Sequence, residues 1–398
     1  MNVPKLRFKE FNDEWQNYKV EDILKISNGI NKEKEFFGSG TPIINYMDVN
    51  KNELISHNIV KGLVIANSKE LETFNVKKGD ILFTRTSETS DEIGLSSSVI
   101  ENIDKCIFSG FILKGTQIKQ FIHPYFGGYY FRNPKMRKEI IKHSSITTRA
   151  LTSGSLLSQM SISIPTIIEQ EKIGKTLSLL DKKIELQTKK IEDLKLFKKG
   201  LLIKEFNNKK CSNKLKECFD FGKAGGTPKS TNKDYYNGYI PFLSISDMTT
   251  QGKYIYYTDK SITEAGLNNS TAWLVPKNSI IISMYASYGL VSINKIDLTT
   301  SQAMFNMVIN KNYVVEYIYY YLYYLYISNF YNSIVSTGTQ SNLNAGQIKL
   351  LDIYIPCYNE QKRIYEQFSK IDFKINLEQK KINELLYLKK GLMQNMFV

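Results

Sequence analysis

The sequence predicts an α+β chain: two globular segments of mixed sheet and helix, separated by two long helices that pair as a coiled coil, with an internal repeat. Three observations predict it. Residues 165–206 recur 191 positions later as residues 356–397, with 18 of 42 positions identical, and self-similarity at such a spacing marks a duplicated unit. Within each copy the apolar residues step alternately by four and three, the seam of a helix built to pack on another helix. The segments in front of each copy resemble one another more weakly at an offset of 199.

In chain order, residues 1–164 form the first globular segment, of ordinary single-domain size. Its Val76-Lys77-Lys78-Gly79-Asp80 followed by Ile81–Thr84 reads as a polar turn and a short apolar strand. Residues 165–208 form the first long helix, with a seam of Ile173, Leu177, Leu180, Ile184, Gln187, Ile191, Leu194, Lys198 and Leu201. Residues 209–355 form the second globular segment. There Ile240-Pro241-Phe242-Leu243 with Asp247 answers Thr41-Pro42-Ile43-Ile44 with Asp48, and Val275–Ser283 answers Val76–Thr84. The tyrosine-rich run Tyr317–Tyr326 and its counterpart Tyr125–Phe131 read as amphipathic helices that pack their rings on a sheet, with a stacking platform for bases as the alternative. Residues 356–398 repeat the long helix, with Ile364, Phe368, Ile371, Ile375, Glu378, Ile382, Leu385, Lys389 and Leu392 in the seam. A helix of this length rises about 55 to 60 Å at about 1.5 Å per residue.

Composition narrows the partner. The formal charge of +14 favours a polyanion or an acidic protein surface, and the excess is shared by both halves, unlike an enzyme with a basic tail. The cysteines Cys106, Cys211, Cys218 and Cys357 contain no C-x-x-C pair, and His57, His123 and His143 are scattered, so no zinc spacing is present. Reduced thiols, no signal peptide and no apolar run long enough for a bilayer point to a cytoplasmic protein without a membrane partner. No phosphate loop, dinucleotide fingerprint or nucleophile elbow occurs. The cluster Lys223-Ala224-Gly225-Gly226-Thr227-Pro228-Lys229 runs into Ser230, Thr231 and Asn232 instead of a helix with a phosphate-binding lysine. No catalytic or metal-binding residue is assigned.

These residues carry a resemblance. Gly225-Gly226-Thr227-Pro228, then Tyr235-Tyr236, Gly238, Ile240-Pro241 and Ser246-Asp247-Met248, and finally Thr339-Gln340-Ser341-Asn342-Leu343 before Ile353-Tyr354-Ile355-Pro356, follow a motif order. Glu169-Gln170 and Glu360-Gln361 open the helices; Lys198-Lys199-Gly200-Leu201 and Lys389-Lys390-Gly391-Leu392 close them. In this order the chain resembles, end to end, the specificity (S) subunit of Type I restriction-modification systems. The first globular segment departs from the pattern: Ser27-Asn28-Gly29-Ile30-Asn31 stands where the glycine-rich loop belongs.

The resemblance implies two target recognition domains, 1–164 and 209–355, held in inverted, pseudo-twofold orientation on a frame of two conserved antiparallel helices, 165–208 and 356–398. It implies a non-catalytic subunit that reads a bipartite site in double-stranded DNA, with a spacer set by the helices. The partners implied are two methyltransferase (M) subunits, which methylate adenine N6 using S-adenosylmethionine, and two restriction (R) subunits, which use ATP and magnesium. This chain itself would bind no cofactor. Arginine is scarce, with only Arg7, Arg85, Arg132, Arg137, Arg149 and Arg363, and none in 209–355. Corresponding positions nominate Arg85-Thr86 with Met284-Tyr285, and Thr148-Arg149 with Thr339-Gln340, together with Asn342, as DNA contacts. Gly225, Gly226 and Thr227 are nominated as DNA contacts as well, with Lys223, Lys229 and Ser230 around them suited to phosphate contacts, which position without specifying. Two other readings stand beside this one: a coiled-coil scaffold that binds only proteins, and a stand-alone DNA methyltransferase.

Overall fold

A computed structural model describes residues 2–146, 149–207, 209–211, 213–285, 287–335 and 342–398. The chain divides into two compact units, Met1–Thr188 with Lys380–Val398, and Lys189–Gln379. Each unit therefore takes one part of each long helix.

The centre of the first unit is a five-stranded sheet in the spatial order Leu24–Asn28, Ile112–Gln117, Ile81–Thr84, Ser96–Val99, Leu54–Ile55. Ile81–Thr84 is buried along its whole length, as its unbroken apolar run requires of a strand covered on both faces. A three-stranded sheet of Gly62–Val64, Phe37–Ile44 and Ile107–Phe108 packs beside it, and Gln16–Lys19 pairs with Ser161–Ile164 just before the first long helix. A third small sheet joins Ser145–Ile146, Ala150–Leu151 and Thr86–Ser87.

The second unit repeats this plan. Its five strands run Phe219–Ala224, Met304–Ile309, Ile280–Ser283, Val291–Asn294, Tyr254–Ile255, with a small sheet of Lys260–Ile262, Tyr236–Leu243 and Thr299–Thr300. The registers agree residue for residue: Thr84 faces Ile112 in one unit, and Ser283 faces Met304 in the other. The expected apolar strands after the two polar turns are thus the central strands of both sheets.

The tyrosine-rich runs are helices, Pro124–Tyr130 and Val315–Ile327. Tyr129, Tyr130, Tyr317 and Tyr320 are at most 1% exposed, so these rings are core and cannot stack bases. Burying an aromatic side chain of this size contributes about 2 to 3 kcal/mol.

The long helices span Ile167–Phe206 and Tyr358–Asn395. In the second unit Lys190 pairs with Glu378, and Lys198 with Asp372. One number rises as the other falls, so the two helices run antiparallel there. Leu180, Ile191 and Ile382 are buried, while Ile184, Leu194, Ile371, Ile375 and Leu385 are half-buried.

The beginning of each seam does a different job from the helix pairing expected. Ile173 and Leu177 lie in the core of the first unit with Phe83 and Tyr129, and Ile364 and Phe368 lie in the core of the second with Ile280 and Tyr320. Both tasks use the same face. A stripe stepping by four and three stays on one side of a helix, so it can be covered by a domain at one end and by a helix further along.

Candidate nucleic-acid interface

The sites nominated by sequence gather at one end of each five-stranded sheet. In the second unit the chain leaves the first strand at Ala224, and Gly225 N–H donates to Met304 O (3.0 Å) while Gly226 N–H donates to Thr300 O (2.9 Å). A Cβ on Gly225 would fall 2.1 Å from Thr300 Oγ1, and one on Gly226 would fall 2.3 Å from Ala272 N. Both glycines are buried and their amides are spent within the domain. Their part is to let the loop pass between Thr300-Ser301 and Thr271-Ala272, which delivers Thr227, Lys229 and Ser230 to the surface. Thr227 Oγ1 donates to Gln302 Oε1. Met284 N–H reaches Ala303 O (2.8 Å), and Leu343 N–H reaches Met284 O (3.0 Å). These bonds set Tyr285, 42% exposed, beside Asn342 and near Gln302. Lys223 is exposed two residues before Gly225, on the last turn of pleat of its strand. Thr339 and Gln340 lie outside the described residues.

The first unit builds the same end with different residues. Gly29 takes the place of Gly225, since its Cβ would fall 2.2 Å from Ser109 O, and Ile30 N–H donates to Phe108 O (3.0 Å) as Gly226 does to Thr300. One glycine at the tight approach therefore preserves the loop although the rest of the motif is lost. Arg85 N–H donates to Phe111 O (2.9 Å), Thr152 N–H donates to Arg85 O (3.0 Å), and Thr86 pairs with Leu151 in the small third sheet. Arg85, Thr86 and the exposed Arg149 are thereby brought together. Thr148 lies outside the described residues.

Geometry sorts the arginines. Arg132 donates to the carbonyls of Ser96, Val49, Asn50 and Asn52, and Arg137 to those of Asp91 and Ile93. Arg7 clasps buried Glu169 with two nitrogens at 2.8 and 2.7 Å, and Arg363 pairs with Glu360. Those four serve the fold; Arg85 and Arg149 lie at the open end of the sheet.

Two residues at the same end escaped sequence reasoning. Phe111 is 62% exposed, a shape suited to wedging between base steps, and Gln302 stands beside Thr227. Both lie in the short loop that precedes a shared strand, Ile112–Gln117 or Met304–Ile309, and that position was the signal available.

Two duplicated polar devices fasten each sheet to its helix pair. Gln170 accepts from His123 N–H (2.8 Å) and donates to Phe121 O (2.9 Å) and Pro165 O (2.8 Å). Gln361 accepts from Val314 N–H (3.0 Å) and donates to Pro356 O (2.9 Å). The second device is a latch. In the first unit Asp181 accepts from Tyr129 OH (2.7 Å) and pairs with Lys389 (2.6 Å), which also holds Glu53 at 2.9 Å. In the second unit Asp372 accepts from Tyr320 OH (2.5 Å) and pairs with Lys198, and Lys253 lies 3.7 Å away.

Glu53 and Lys253 occupy one position, each giving its carbonyl to the strand that follows: Ser98 N–H to Glu53 O (3.0 Å), and Ile293 N–H to Lys253 O (2.8 Å). The first latch is thus a cation between two anions, and the second an anion between two cations. Burial works against the Lys389 ammonium, but Glu53 and Asp181 outweigh it and raise its pKa. Burial, with Lys198 adding to it against the pull of Asp372, pushes Lys253 down to about 8.

Among the described residues no helix is long and apolar enough to cross a membrane. Burial pushes the Cys106 and Cys218 thiols up to about 12, which keeps them protonated and unreactive.

Comparison with known proteins gives a consistent answer. A family model described as the Type I restriction modification DNA specificity domain matches twice, at residues 12–196 and 208–387. The chain is 31% identical over 176 residues to the MjaIX specificity subunit of a Type I restriction enzyme from Methanocaldococcus jannaschii, covering 43% of this chain and 40% of that one. The chain thus spans about two fifths of the length of that relative. A second relative from the same organism, the putative MjaX specificity subunit, is 25% identical over 98% of this chain and 95% of its own length. In fold the chain is similar to the crystal structure of a Type I restriction-modification S subunit from M. genitalium, with a TM-score of 0.58 at 17% identity, covering 100% of this chain and 99% of that one.

Proposed function

The chain belongs to the Type I restriction modification DNA specificity family, and from that premise we propose that it reads a bipartite DNA site, one half with each unit. The observation that carries this reading is the pairing of a duplicated sheet with unlike residues at its open end. That end carries Arg85, Thr86, Phe111 and Arg149 in one copy and Lys229, Tyr285, Gln302 and Asn342 in the other; by strand register Arg85-Thr86 answer Met284-Tyr285, and Phe111 answers Ala303. A common scaffold with different side chains at one end is what two different half-sites require. Arginine suits bidentate contact with guanine, and Asn or Gln with adenine. The second half-site is therefore read without arginine.

The chain supplies recognition and no catalytic group. It presents an adenine that a methyltransferase partner flips out of the duplex, with S-adenosylmethionine bound there, while restriction partners use ATP and magnesium. Exposed apolar residues on the long helices support two copies of one docking partner. Leu186 and Leu377 (59% and 43% exposed), Leu196 and Tyr387 (69% and 81%), and Phe197 and Leu388 (58% and 51%) recur at the 191-residue spacing. Repeated exposed apolar side chains mark a surface that is covered in an assembly.

The helices would act as the ruler between half-sites, because one turn of B-DNA advances about 34 to 36 Å, within the reach of a 40-residue helix. Inserting or deleting a heptad within Lys182–Lys199 tests this. Mapping methylated adenines across a genome that carries the variant should give an altered spacer between unaltered half-sites. An unchanged spacer, or altered half-sites, overturns the ruler.

A further inference from the structure

The inverted charge of the second latch opens onto a cleft of about 700 Å³ in the second unit. Lys195, Lys198, Lys199 and Lys253 line it, and among the described residues Asp372 is the only carboxylate in its wall. Lys195 and Lys199 are exposed and have no ion-pair partner among the described residues. Lys198 and Lys253 are sunk, with side chains 12% exposed.

Five tyrosines, Tyr254, Tyr256, Tyr257, Tyr319 and Tyr323, share the wall with aliphatic and neutral polar residues. Tyr319 is 4% exposed and stacks on Tyr323 with planes 5° apart, so the open ring faces are those of Tyr256 and Tyr257, 60% and 54% exposed. Lys198 and Lys253 share the one carboxylate of Asp372 and lie over the Tyr320 ring, with the Lys295–Glu316 pair beside Lys253. One positive charge is thus left in excess, which is costly in a half-dry site. The molecule contains its own control, since the equivalent position in the first unit is Glu53, where Lys389 and Arg132 answer Glu53 and Asp181. The volume lies in the range of sites for small organic ligands.

We propose that this cleft binds a phosphate monoester carried on a flat ring, a nucleoside monophosphate being its representative, with the lysines receiving the phosphate and the tyrosine faces receiving the ring. Lysine is a point-charge phosphate ligand, and aromatic faces stack any base. The cleft is lined by none of the DNA-contact candidates Lys229, Tyr285, Gln302 and Asn342.

The test uses the full chain and three probes, adenosine monophosphate, inorganic phosphate and adenosine, titrated by calorimetry. Adenosine monophosphate is expected to bind at least tenfold more tightly than either fragment, and hydrogen exchange is expected to slow in Thr249–Tyr257 and Lys195–Lys199. K253E, which gives the cleft the charge of the first unit, should weaken binding at least tenfold. K199E changes an exposed helix position and keeps the test valid if K253E misfolds; it should weaken binding in the same direction. Equal binding of monophosphate and fragments, protection elsewhere in the chain, or unchanged affinity in K199E would each overturn the site.

Discussion

Removing the latch carboxylate should cost the two units unequally. In the first unit, Asp181→Asn takes one partner from Lys389 but leaves Glu53 at 2.9 Å, and the amide oxygen still accepts from Tyr129. The loss is one partly exposed ion pair and the charge in one hydrogen bond, about 1 to 1.5 kcal/mol. In the second unit, Asp372→Asn leaves Lys198 and Lys253 facing each other, both side chains 12% exposed, with no carboxylate between them. Breaking a buried pair in this way costs about 3 to 4 kcal/mol. The difference of about 2 kcal/mol is roughly a thirtyfold difference in the opening equilibrium. Because a two-unit chain need not unfold in one step, the measurement is native-state hydrogen exchange on the amides of Pro124–Tyr130 and Val315–Ile327 in each variant. Asp372 raises the Lys253 pKa of about 8, so in Asp372→Asn Lys253 sheds its proton at lower pH, and the penalty in the second unit should shrink as pH rises towards 8. Equal costs in the two units, or a larger cost for Asp181→Asn, would refute the reasoning.

The other expectations are briefer. Arg149→Ala should relax discrimination by about 1 to 3 kcal/mol at the half-site read by the first unit only; a uniform loss with a shallower salt slope would instead identify a phosphate contact. Gly225→Ala forces a Cβ to within 2.1 Å of Thr300 Oγ1 and should destabilise the second unit by about 1 to 3 kcal/mol, read as faster exchange there with the first unit unchanged. Lys253 has a folded pKa of about 8, below its unfolded value. The unfolded state therefore binds more protons between pH 8 and about 10.4, and stability of the second unit should rise with pH in that window. The groups facing it are Asp372, Lys198, Glu316 and Lys295, and Lys253→Met should flatten the rise.

Much of the fold was legible because it was written twice. The strands Ile81–Thr84 and Ile280–Ser283 and both long helices announce themselves by pattern, and the second copy of each confirms the first. The tyrosine runs were readable as core because a hydroxyl-rich helix against a sheet has somewhere to send its oxygens: Tyr317 OH to Tyr354 O, and Tyr320 OH to Asp372. The latch was hidden. Asp181 and Lys389 are more than two hundred residues apart, and Asp372 with Lys198 looked like ordinary members of charged helices. Glu53 and Lys253 were harder still, since the equivalence rests on a shared strand register that a sequence offset of 199 misses by one residue. The loop Ser27–Asn31 read as a departure because three of the four motif residues had changed, yet the glycine at the close approach, Gly29, is kept. At the open ends, which side chains meet depends on backbone bonds such as Leu343 N–H to Met284 O, which no local pattern encodes.

The glutamine clamp has a consequence for how such a chain can change over generations. Gln170 and Gln361 bond only to backbone groups of the segments they hold. Backbone amides and carbonyls are common to every sequence, so the clamp does not ask what the held domain is made of. A foreign domain with the same strand exit and helix start would be gripped as firmly as the resident one. The fastening is thus a standard fitting, and a new pair of readers can be assembled by exchanging cassettes at its boundaries without redesigning the joint.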